Sequence, residues 1–571
     1  MKTKIMITLA AAFALSAFAA ENVAPGETDN LGKIGMPNYP TAPAEYRRPE
    51  GYKPYLYKLN LEQISAAYSA ETVARGDAVY GKVREINENG KWKATGKSID
   101  KHKCPEWFKD AKFGIFIDWG LWSIASWAPK RDKGAMYPDW YEYRMYTEYT
   151  TPKSAYTAFR PYHIKNWGAD FQRDHFIPLF KAERFDADKL VEVFKDCGAK
   201  YVVPFCKHHS GFCIWPSSFT LRDVSDMGPR RDIAGELVKA CRKSDLKFGF
   251  YFSLREWEYP ILDADGKIKK LEWDGKVEDY TPDMEYKASG KIAVKDYVRQ
   301  YLIPEAVEFI DNYSPDLIWY DGEWRYRALH SGSYDISAYF YNVNEGKKEV
   351  AVNDRYGDGE PDEITGKFTK KKRVWLRTVR GDYYTNEYGD TAERLDPKKY
   401  HPWEACRGIS QSFGNNWQDN ASNVITSKEF IAMFADMVAH GGNLLLIVNL
   451  DGQGEIPEIQ KKRLLDIGKW LKKNGEAIYA TRLLAPFATK DVAYTRSKDA
   501  RSGYAIVKNP SEEVLLELAI PAGAKVSDLA SGIGLSWKYK NAADPKAGAM
   551  VKLPENLAKS PLPVALKLDL K

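Results

Sequence analysis

The stretch Tyr201-Val-Val-Pro-Phe-Cys-Lys-His-His-Ser-Gly-Phe212 joins an apolar run to two adjacent histidines. Its first six residues have the length and the β-branched and aromatic composition of a buried strand. His208 and His209 therefore follow the carboxyl end of this strand, which is where ligands bind in α/β folds. The stretch predicts a strand of a parallel sheet with a binding site at its end.

A second apolar run, Pro315-Asp-Leu-Ile-Trp-Tyr-Asp-Gly-Glu-Trp324, repeats this arrangement with carboxylates and tryptophans at its end. The two strand ends together would present neutral hydrogen-bonding groups, carboxylates and flat indole rings. A sugar needs hydrogen bonds to its hydroxyl groups and a flat surface for its C–H face. The two strand ends therefore favour a carbohydrate site.

Strands alternate with helices from Phe113 onward, and this alternation predicts parallel pairing in an α/β fold. The predicted strands cover residues 113–119, 201–206, 246–253, 316–321, 349–353 and 444–448, and the predicted helices cover residues 185–198, 233–241, 297–312 and 461–475. A long segment of loop character, residues 354–402, interrupts the pattern. After about residue 478 short apolar runs alternate with turns, which is typical of an antiparallel β-sandwich.

A chain of 571 residues is too long for one hydrophobic core. We predict a signal peptide at residues 1–20, an N-terminal arm and lead-in at 21–104, a catalytic domain at 105–477 and a β-sandwich domain at 478–571. The basic start Met1-Lys-Thr-Lys4, the apolar run after it and an Ala-x-Ala ending at Ala19 indicate the signal peptide. We therefore expect a secreted or periplasmic protein without a membrane anchor, because no later run reaches about 18 apolar residues.

The charge is nearly balanced, with 84 basic and 78 acidic residues and a net charge of +6. This balance does not indicate a nucleic-acid partner, although a locally basic groove for sulfated or uronic glycans stays open. The six cysteines are scattered and form no Cys-x-x-Cys pair, so we expect small buried residues rather than a disulfide framework. A bridge between Cys206 and Cys213 is the alternative.

Six motifs occur in the order in which they occur in α-L-fucosidases of glycoside hydrolase family 29, and the chain resembles that family from about Pro105 to Tyr479. The motifs are Asp110-Ala-Lys-Phe-Gly-Ile-Phe-Ile-Asp-Trp-Gly120, Lys207-His-His-Ser-Gly-Phe212, Trp319-Tyr-Asp-Gly322, Asn353-Asp-Arg355, Trp403-Glu404 and Gly441-Gly-Asn-Leu-Leu-Leu446. The resemblance implies a (β/α)8-like barrel with its active site at the carboxyl ends of the strands. It also implies a retaining mechanism that uses two carboxyl groups and neither a metal nor a cofactor.

Asp321 is the candidate nucleophile, because it ends an apolar strand before Gly322 and matches the family nucleophile in Trp-Tyr-Asp-Gly. On spacing alone, an Asp-Gly pair after a strand is equally typical of a simple turn. The candidate acid/base is Glu387, in a segment similar to the Gly-Asp-Tyr-x-x-x-Glu loop that carries this residue in several family members. Partial burial would have to raise the pKa of this carboxyl group. The alternatives for the acid/base are Glu323, Glu393 and Glu404.

His208 and His209 match adjacent histidines that bind sugar hydroxyls in the family, and a neutral imidazole can both donate and accept a hydrogen bond. A buried core pair and a metal site are the alternatives, although no third ligand stands at a recognisable spacing. Successive side chains on a regular strand point to opposite faces. Both histidines can therefore serve one ligand only if the backbone leaves strand geometry at Lys207.

Four further residues are expected to shape the site. Arg355 matches a family arginine near the nucleophile and could keep Asp321 ionised. Phe413 aligns with an aromatic residue that contacts the methyl group of fucose. Trp119 and Trp319 are candidate aromatic walls for the sugar, with plain barrel packing as the alternative.

Two substrate-binding positions depart from the family pattern. The first strand of the family usually reads Phe-x-His-Trp-Gly, with a histidine that binds the sugar, but this chain has Asp118 there. The family motif Glu-Trp-Tyr is replaced by Asp139-Trp140-Tyr141, whose carboxylate is one methylene shorter. An ionised carboxylate only accepts hydrogen bonds. We therefore expect Asp118 to accept from sugar hydroxyls and to repel an acidic group such as sulfate.

The leading interpretation is a secreted exo-glycosidase that hydrolyses terminal α-L-fucosyl linkages of oligosaccharides or polysaccharides. One alternative is a relative that cleaves another α-linked sugar, such as one of L-galactose or D-arabinose configuration. The other is a glycan-binding barrel that has lost catalysis, because a fold does not imply a function. Asp118 favours the alternatives, whereas Asp321 together with Glu387 favours an enzyme.

Overall fold

The computed structural model of the chain describes residues 39–54, 69–131, 135–146, 158–263, 265, 268–273, 276–279, 290–323, 330–357, 381–388 and 400–570. Several predictions fall outside these residues. They concern the signal peptide at 1–20, most of the arm that follows it, Trp324, the alternative acid/base Glu393 and most of the loop segment 354–402.

The first part of the chain forms a sheet of eight parallel strands. The strands in this part are β1 (Phe113–Asp118), β2 (Tyr201–Lys207), β3 (Lys247–Ser253), β4 (Glu258–Leu262), β5 (Ile268–Trp273), β6 (Lys276–Asp279), β7 (Leu317–Asp321), β8 (Ala351–Val352), β9 (Tyr384–Glu387), β10 (Trp403–Gly408) and β11 (Gly442–Asn449). The sheet has the order β8-β7-β3-β2-β1-β11-β10-β9, and β4, β5 and β6 form a separate antiparallel sheet. The central strands β1, β2 and β11 are buried along their whole length, as expected for parallel strands covered on both faces.

The two outermost strands, β8 and β9, meet and complete a (β/α)8-like barrel. They are joined by one isolated bridge, between Asn353 and Tyr383. The amide of Asp382 also donates to the carbonyl of Val352 at 2.8 Å, and the Asp382 carboxylate accepts from the amide of Val352 at 2.8 Å. This seam has far fewer backbone hydrogen bonds than the ladders of β11 with β1 and β10 or of β3 with β7.

All the helices but the last belong to the part of the chain that carries the parallel sheet, and the last, residues 555–558, packs against the C-terminal core. They are α1 (Ala70–Asn89), α2 (Gly96–Ile99), α3 (Glu106–Ala111), α4 (Trp122–Ala125), α5 (Tyr141–Arg144), α6 (Phe159–Trp167), α7 (Ala187–Asp196), α8 (Ile233–Lys243), α9 (Ile303–Tyr313), α10 (Ser333–Asn344), α11 (Ser427–Ala439), α12 (Glu458–Asn474) and α13 (Glu555–Ala558). The predicted start of α7 is confirmed, because Asp186 accepts a hydrogen bond of 3.1 Å from the amide of Lys189. Gly198 follows the helix in the left-handed region, at a φ of 95°.

The C-terminal part is the predicted β-sandwich. Its strands are β12 (Arg482–Ala488), β13 (Val492–Arg496), β14 (Ser502–Val507), β15 (Glu513–Leu516), β16 (Val526–Asp528), β17 (Trp537–Tyr539), β18 (Ala549–Lys552) and β19 (Val564–Asp569). They form antiparallel sheets of five strands, β12-β13-β14-β19-β16, and three strands, β15-β18-β17, around a separate apolar core. Lys508 pairs with Asp436 of α11 at 2.8 Å, and Trp470 of α12 donates to the carbonyl of Pro563 at 2.8 Å. The fold class predicted from the sequence is therefore confirmed.

Some local predictions differ from the structure. Residues 384–387 and 403–408 are strands, although the first lies inside the predicted loop segment and the second was not predicted. The helix predicted from Tyr297 begins with a π-helical turn before α9. All six cysteines are free thiols and all but Cys104 are buried, so the alternative bridge between Cys206 and Cys213 is absent.

Candidate active site

A cavity of about 240 Å³ lies among the strands of the barrel, beside the ends of β7 and β9. Six of the eleven predicted site residues line it: Asp139, Trp140, Trp319, Asp321, Glu387 and Phe413. The other lining residues are Phe116, Tyr137, Arg144, Phe205 and Tyr251. A larger cavity of about 820 Å³ lies near Lys101 and the end of α10, but none of the predicted site residues lines it. The smaller cavity is therefore the candidate active site.

Asp321 is the last residue of β7 and lines this cavity. Its Oδ2 accepts a hydrogen bond of 2.6 Å from the hydroxyl of Tyr251, and its Oδ1 accepts one of 2.8 Å from Nη1 of Arg355. Gly322 follows at a φ of 78°, which lets the backbone turn directly after the strand. Burial, together with the charge of Asp321, raises the pKa of Tyr251, so this phenol keeps its proton as a donor. The two donors hold the carboxylate in one orientation.

Glu387 is the last residue of β9, and its Oε1 accepts a hydrogen bond from Nη2 of Arg355. One guanidinium therefore bridges Asp321 and Glu387 through its two terminal nitrogens, which brings the two carboxyl groups close together. Nε of Arg355 also donates to Oγ1 of Thr385 at 3.1 Å. Burial alone would lower the pKa of Arg355, but Glu387, Glu323 and Asp321 outweigh it and raise this pKa. The acid/base was expected on a loop, and the structure places Glu387 on a strand.

The alternatives for the acid/base occupy different places. Oε2 of Glu323 lies 3.8 Å from Nη1 of Arg355, so this carboxylate is close to the cavity without lining it. Glu404 is buried inside the barrel, where it accepts from the hydroxyl of Tyr201 at 2.6 Å and from Nε1 of Trp319 at 2.9 Å. Burial raises the pKa of Glu404 to about 7. Its contacts tie β2, β7 and β10 together, so Glu404 stabilises the packing of the barrel.

The strand β2 does leave regular geometry before the two histidines. Phe205 pairs with Tyr251 of β3 but Lys207 pairs with Phe252, so two residues of β2 stand against one residue of β3. This bulge shifts the side chains that follow it. Nε2 of His208 lies 3.7 Å from Oδ2 of Asp139, and Nε2 of His209 lies 3.7 Å from Oδ2 of Asp321. Both imidazoles consequently face the carboxylates of the cavity.

Burial lowers the pKa of His208 and of His209 well below the usual value, and nearby positive groups add to this effect. Both rings are therefore neutral at neutral pH. Nδ1 of His209 lies 2.6 Å from Oγ of Ser253, whose own proton goes to the carbonyl of Arg255 at 2.5 Å. This pattern assigns the proton of His209 to Nδ1 and leaves Nε2 as an acceptor for a hydroxyl group.

Asp118 is fully buried and does not line the cavity. Its Oδ1 accepts from Nε1 of Trp122 at 2.8 Å, while Oδ2 has no hydrogen-bond partner in the described part of the chain. Burial raises the pKa of Asp118 to about 7, and burial together with the charge of Asp118 raises the pKa of Asp139 well above its usual value. A carboxyl group with this pKa is partly protonated at neutral pH, so Asp118 can donate a hydrogen bond as well as accept one.

The aromatic residues divide between the cavity and the core. Trp319 lines the cavity with the guanidinium of Arg355 4.7 Å from its ring, and Phe413 stacks on Tyr137 with ring centroids 5.3 Å apart. Trp119, by contrast, stacks on Phe185 at 5.1 Å and donates through Nε1 to the carbonyl of Asp451 at 2.8 Å. Trp119 therefore packs in the barrel and is not a wall of this cavity.

Sequence reasoning missed three polar residues that line the cavity, namely Tyr137, Arg144 and Tyr251. Tyr251 lies on the predicted strand 246–253. The sequence did contain a signal for it, because Tyr251 and Ser253 stand two residues apart and so place two polar groups on the same face of β3. Arg144 ends α5, and its guanidinium lies 5.3 Å from the ring of Trp140 and 5.7 Å from that of Tyr137. No motif singles out Arg144, because its place depends on the packing of those rings.

Two features are absent from the residues that the structure describes. In this part of the chain no three His, Cys, Asp or Glu side chains are grouped so that they could hold a metal ion. Among the same residues no helix is both long enough and apolar enough to cross a membrane.

A family model described as alpha-L-fucosidase matches residues 80–476. The tissue alpha-L-fucosidase of Mus musculus is 31% identical over 484 residues, which are 83% of this chain and 93% of that protein. The tissue alpha-L-fucosidase of Homo sapiens is 31% identical over 465 residues, which are 80% of this chain and 87% of that protein. The crystal structure of Thermotoga maritima alpha-fucosidase in complex with a mechanism-based inhibitor is 29% identical, with a TM-score of 0.65, and the match covers 84% of this chain and 100% of that one.

Proposed function

Because the family model matches well over half of its length, the chain belongs to the alpha-L-fucosidase family of glycoside hydrolases, and we propose that it is a retaining exo-glycosidase that releases terminal α-L-fucose from glycans. The relatives that carry this name support fucose as the sugar. The single observation that carries the mechanism is the bridge of Arg355 between Asp321 and Glu387. It joins two carboxyl groups at one cavity, as a retaining glycosidase requires.

In the first step, a carboxylate oxygen of Asp321 attacks the anomeric carbon while the glycosidic C–O bond breaks. Glu387 transfers its proton to the departing oxygen, so the aglycone leaves as an alcohol. Arg355 and the phenol of Tyr251 keep Asp321 in the orientation for attack. The product of this step is a covalent fucosyl-enzyme with an ester at Asp321.

In the second step, Glu387 takes a proton from water as the water oxygen attacks the same anomeric carbon. The ester bond to Asp321 breaks and its electron pair returns to the carboxylate. Fucose leaves with its original anomeric configuration, and both carboxyl groups regain their starting states. Nη2 of Arg355 donates a hydrogen bond to the carboxylate of Glu387 that acts in this step.

The two carboxyl groups differ in exposure, because the side chain of Glu387 is 34% exposed and that of Asp321 is 14% exposed. A bound aglycone oxygen would lie beside Glu387, where it competes with Nη2 of Arg355 for the carboxyl group.

Hydroxyl recognition falls to the neutral histidines and to Asp139. Nε2 of His209 accepts a hydrogen bond from a sugar hydroxyl, and Asp139 lines the cavity beside His208. Phe413 offers an apolar contact for the methyl group of fucose, and Trp319 and Trp140 complete the wall. Asp118 acts on the sugar through its neighbour Asp139. Burial raises the pKa of Asp139, and the charge of Asp118 raises it further.

A second candidate substrate is an α-linked sugar of L-galactose or D-arabinose configuration, which Asp118 favours because the family has a histidine at this position. The deciding experiment measures kcat/KM of the purified protein on an aryl α-L-fucoside and an aryl α-L-galactoside side by side. We expect the fucoside to be the better substrate. A preference for the galactoside would replace the proposed sugar, and no hydrolysis of either would favour a binding protein.

Secretion is proposed from the N-terminal sequence. The basic start and the Ala-x-Ala ending predict removal of a signal peptide near Ala19 or Ala20. N-terminal sequencing of the protein recovered from the periplasm or the medium should therefore begin at residue 20 or 21. An intact Met1 on the exported protein, or retention of the whole chain in the cytoplasm, would contradict this proposal.

A further inference from the structure

Behind the two histidines lies a cluster of fully buried ionisable residues that neither catalytic step uses. We call it the buried ion cluster, and it consists of Lys207, Cys213, Glu256, Lys291 and Glu305. Nζ of Lys207 lies 2.6 Å from Glu305 and 3.6 Å from Glu256, and Lys291 lies 2.8 Å from Glu256. The thiol of Cys213 donates to Glu305 at 3.1 Å. Each carboxylate thus has at least one cation beside it.

Lys207 connects this cluster to the bulge in β2. On a regular strand Lys207 would share the face of Phe205, which lines the cavity, because side chains two residues apart point the same way. Its ammonium instead reaches Glu305 on α9, which packs on the outside of the barrel. The ion pair is therefore made only when the strand carries the bulge, and the bulge is what turns both histidines toward the cavity.

The residues just after the histidines are fastened to the same cluster. A Cβ on Gly211 would lie 2.2 Å from Oε2 of Glu256, so this part of the loop packs directly on that carboxylate. The amide of Trp257, the residue after Glu256, donates to the carbonyl of His209 at 2.7 Å. The histidine pair is thus held from Lys207 on one side and from Gly211 on the other.

Burying a Lys and a Glu together is a costly way to gain stability, because neutral residues of similar volume are often at least as stabilising. We propose that the pair of Lys207 and Glu305 is a positioning device that fixes the bulge and thereby sets the imidazoles of His208 and His209 against the sugar hydroxyls. This inference rests on the proposed function. Lys207 and Glu305 are positioning residues, because they act only through the histidines.

Three variants separate positioning from simple stabilisation. Lys207→Met and Glu305→Gln each leave one charge of the pair without its partner, whereas the double variant K207M/E305Q removes both charges at nearly constant volume. Lys508→Met serves as the matched control, because Lys508 is also a largely buried lysine paired with a carboxylate, Asp436, far from the cavity. For each protein, the melting temperature and kcat/KM on an aryl α-L-fucoside are measured under conditions in which the protein is folded.

We expect the double variant to recover the melting temperature of the wild type while its kcat/KM stays about a hundredfold lower, since a displacement of about 1 Å can cost that much. The control K508M should lose stability and keep its kcat/KM. If the double variant recovers activity together with stability, or does not fold at all, the pair serves folding alone and the proposal is overturned.

A second readout tests the histidines directly. The wild type and K207M/E305Q are compared on the three monodeoxy aryl α-L-fucosides, each of which lacks one sugar hydroxyl. The hydroxyl held by the histidines is the one whose removal lowers kcat/KM of the wild type most. The ratio of kcat/KM on the parent fucoside to kcat/KM on that deoxy fucoside should be at least about tenfold smaller in the double variant. Unchanged discrimination in the variant would overturn the inference alone. A wild-type protein that hydrolyses no fucoside would overturn the proposed function and this inference with it.

Discussion

The phenol of Tyr251 on β3 donates a hydrogen bond of 2.6 Å to the carboxylate of Asp321 on β7. The two residues stand on adjacent parallel strands, because β3 pairs directly with β7. Oδ2 of Asp321 is the oxygen that Tyr251 holds, and Oδ1 is the oxygen that Arg355 holds. Each oxygen of the proposed nucleophile therefore has its own donor.

Tyr251→Phe removes one of these donors without removing the ring. A hydrogen bond to a charged group is worth about 1.5 to 3 kcal/mol, so we expect kcat/KM to fall about tenfold to a hundredfold. Tyr320→Phe is the control, because its hydroxyl lies 3.0 Å from Ser337 and does not reach the cavity. Equal losses in both variants would argue against a specific role for Tyr251.

Asp321→Gly should lower kcat/KM by at least about a thousandfold, because covalent catalysis needs the carboxylate. The space left by the side chain should admit azide, which would yield fucosyl azide of inverted configuration, detectable by NMR. Asp316 precedes β7 at the end opposite Asp321, and its carboxylate accepts a hydrogen bond from the amide of Phe248. Asp316→Asn should therefore keep activity. Full activity of Asp321→Gly would place the nucleophile elsewhere.

Glu387→Gln should depend on the leaving group. A nitrophenyl group leaves with little protonation, whereas a sugar hydroxyl needs a proton. We expect the loss in kcat/KM to be at least about tenfold larger on a fucosyl-oligosaccharide than on a nitrophenyl fucoside. Glu323→Gln is assayed in parallel, and the same leaving-group dependence in that variant alone would move the acid/base to Glu323.

Asp118→Asn should change how stability depends on pH. The native pKa of about 7 is above the ordinary value of 3.8, so the native state binds more protons than the unfolded state between these pH values. The free energy of unfolding therefore falls as the pH rises through this window, by at most about 1.4 kcal/mol per pH unit. Asparagine can still accept from Trp122 but does not titrate. Melting temperatures from pH of about 4 to about 7 should show a flatter dependence in the variant, and identical curves would contradict the burial argument.

Treatment with EDTA should leave the activity unchanged. The proposed mechanism uses Asp321 and Glu387 alone, and His208 and His209 are assigned to sugar hydroxyls. The rate on an aryl α-L-fucoside is measured before and after chelation and again with added divalent ions. If the rate falls on chelation and a divalent ion restores it, His208 and His209 bind a metal ion instead of a sugar hydroxyl.

The fold was largely predictable because its central strands are covered on both faces and are therefore apolar throughout. The strands β1, β2, β3, β7 and β11 all follow from such runs. The short strands β9 and β10 were missed, because Tyr384-Thr-Asn-Glu387 and Trp403-Glu-Ala-Cys-Arg-Gly408 are too polar for this pattern. Their strand state comes from pairing with neighbours, which a local pattern does not contain.

The candidate site was predictable where polar residues follow a strand. Asp321 and the histidine pair stand at such positions. Glu387 was predicted from its motif, and it lines the same cavity as Asp321. Tyr251 was missed because it lies inside a strand and reaches Asp321 only across the sheet. The burial of Asp118 also could not be foreseen, since it depends on Trp122 and on the segment near Gly414.

The seam between β8 and β9 has an evolutionary consequence. Asp321 lies on β7, which is paired along both edges, so an inserted residue there would shift a ladder out of register. Glu387 lies on β9, which has a ladder with β10 but only one bridge toward β8. A change of register next to this seam disturbs one bridge among the described residues rather than a ladder. The fold therefore tolerates a change in chain length beside the proposed acid/base better than one beside the proposed nucleophile.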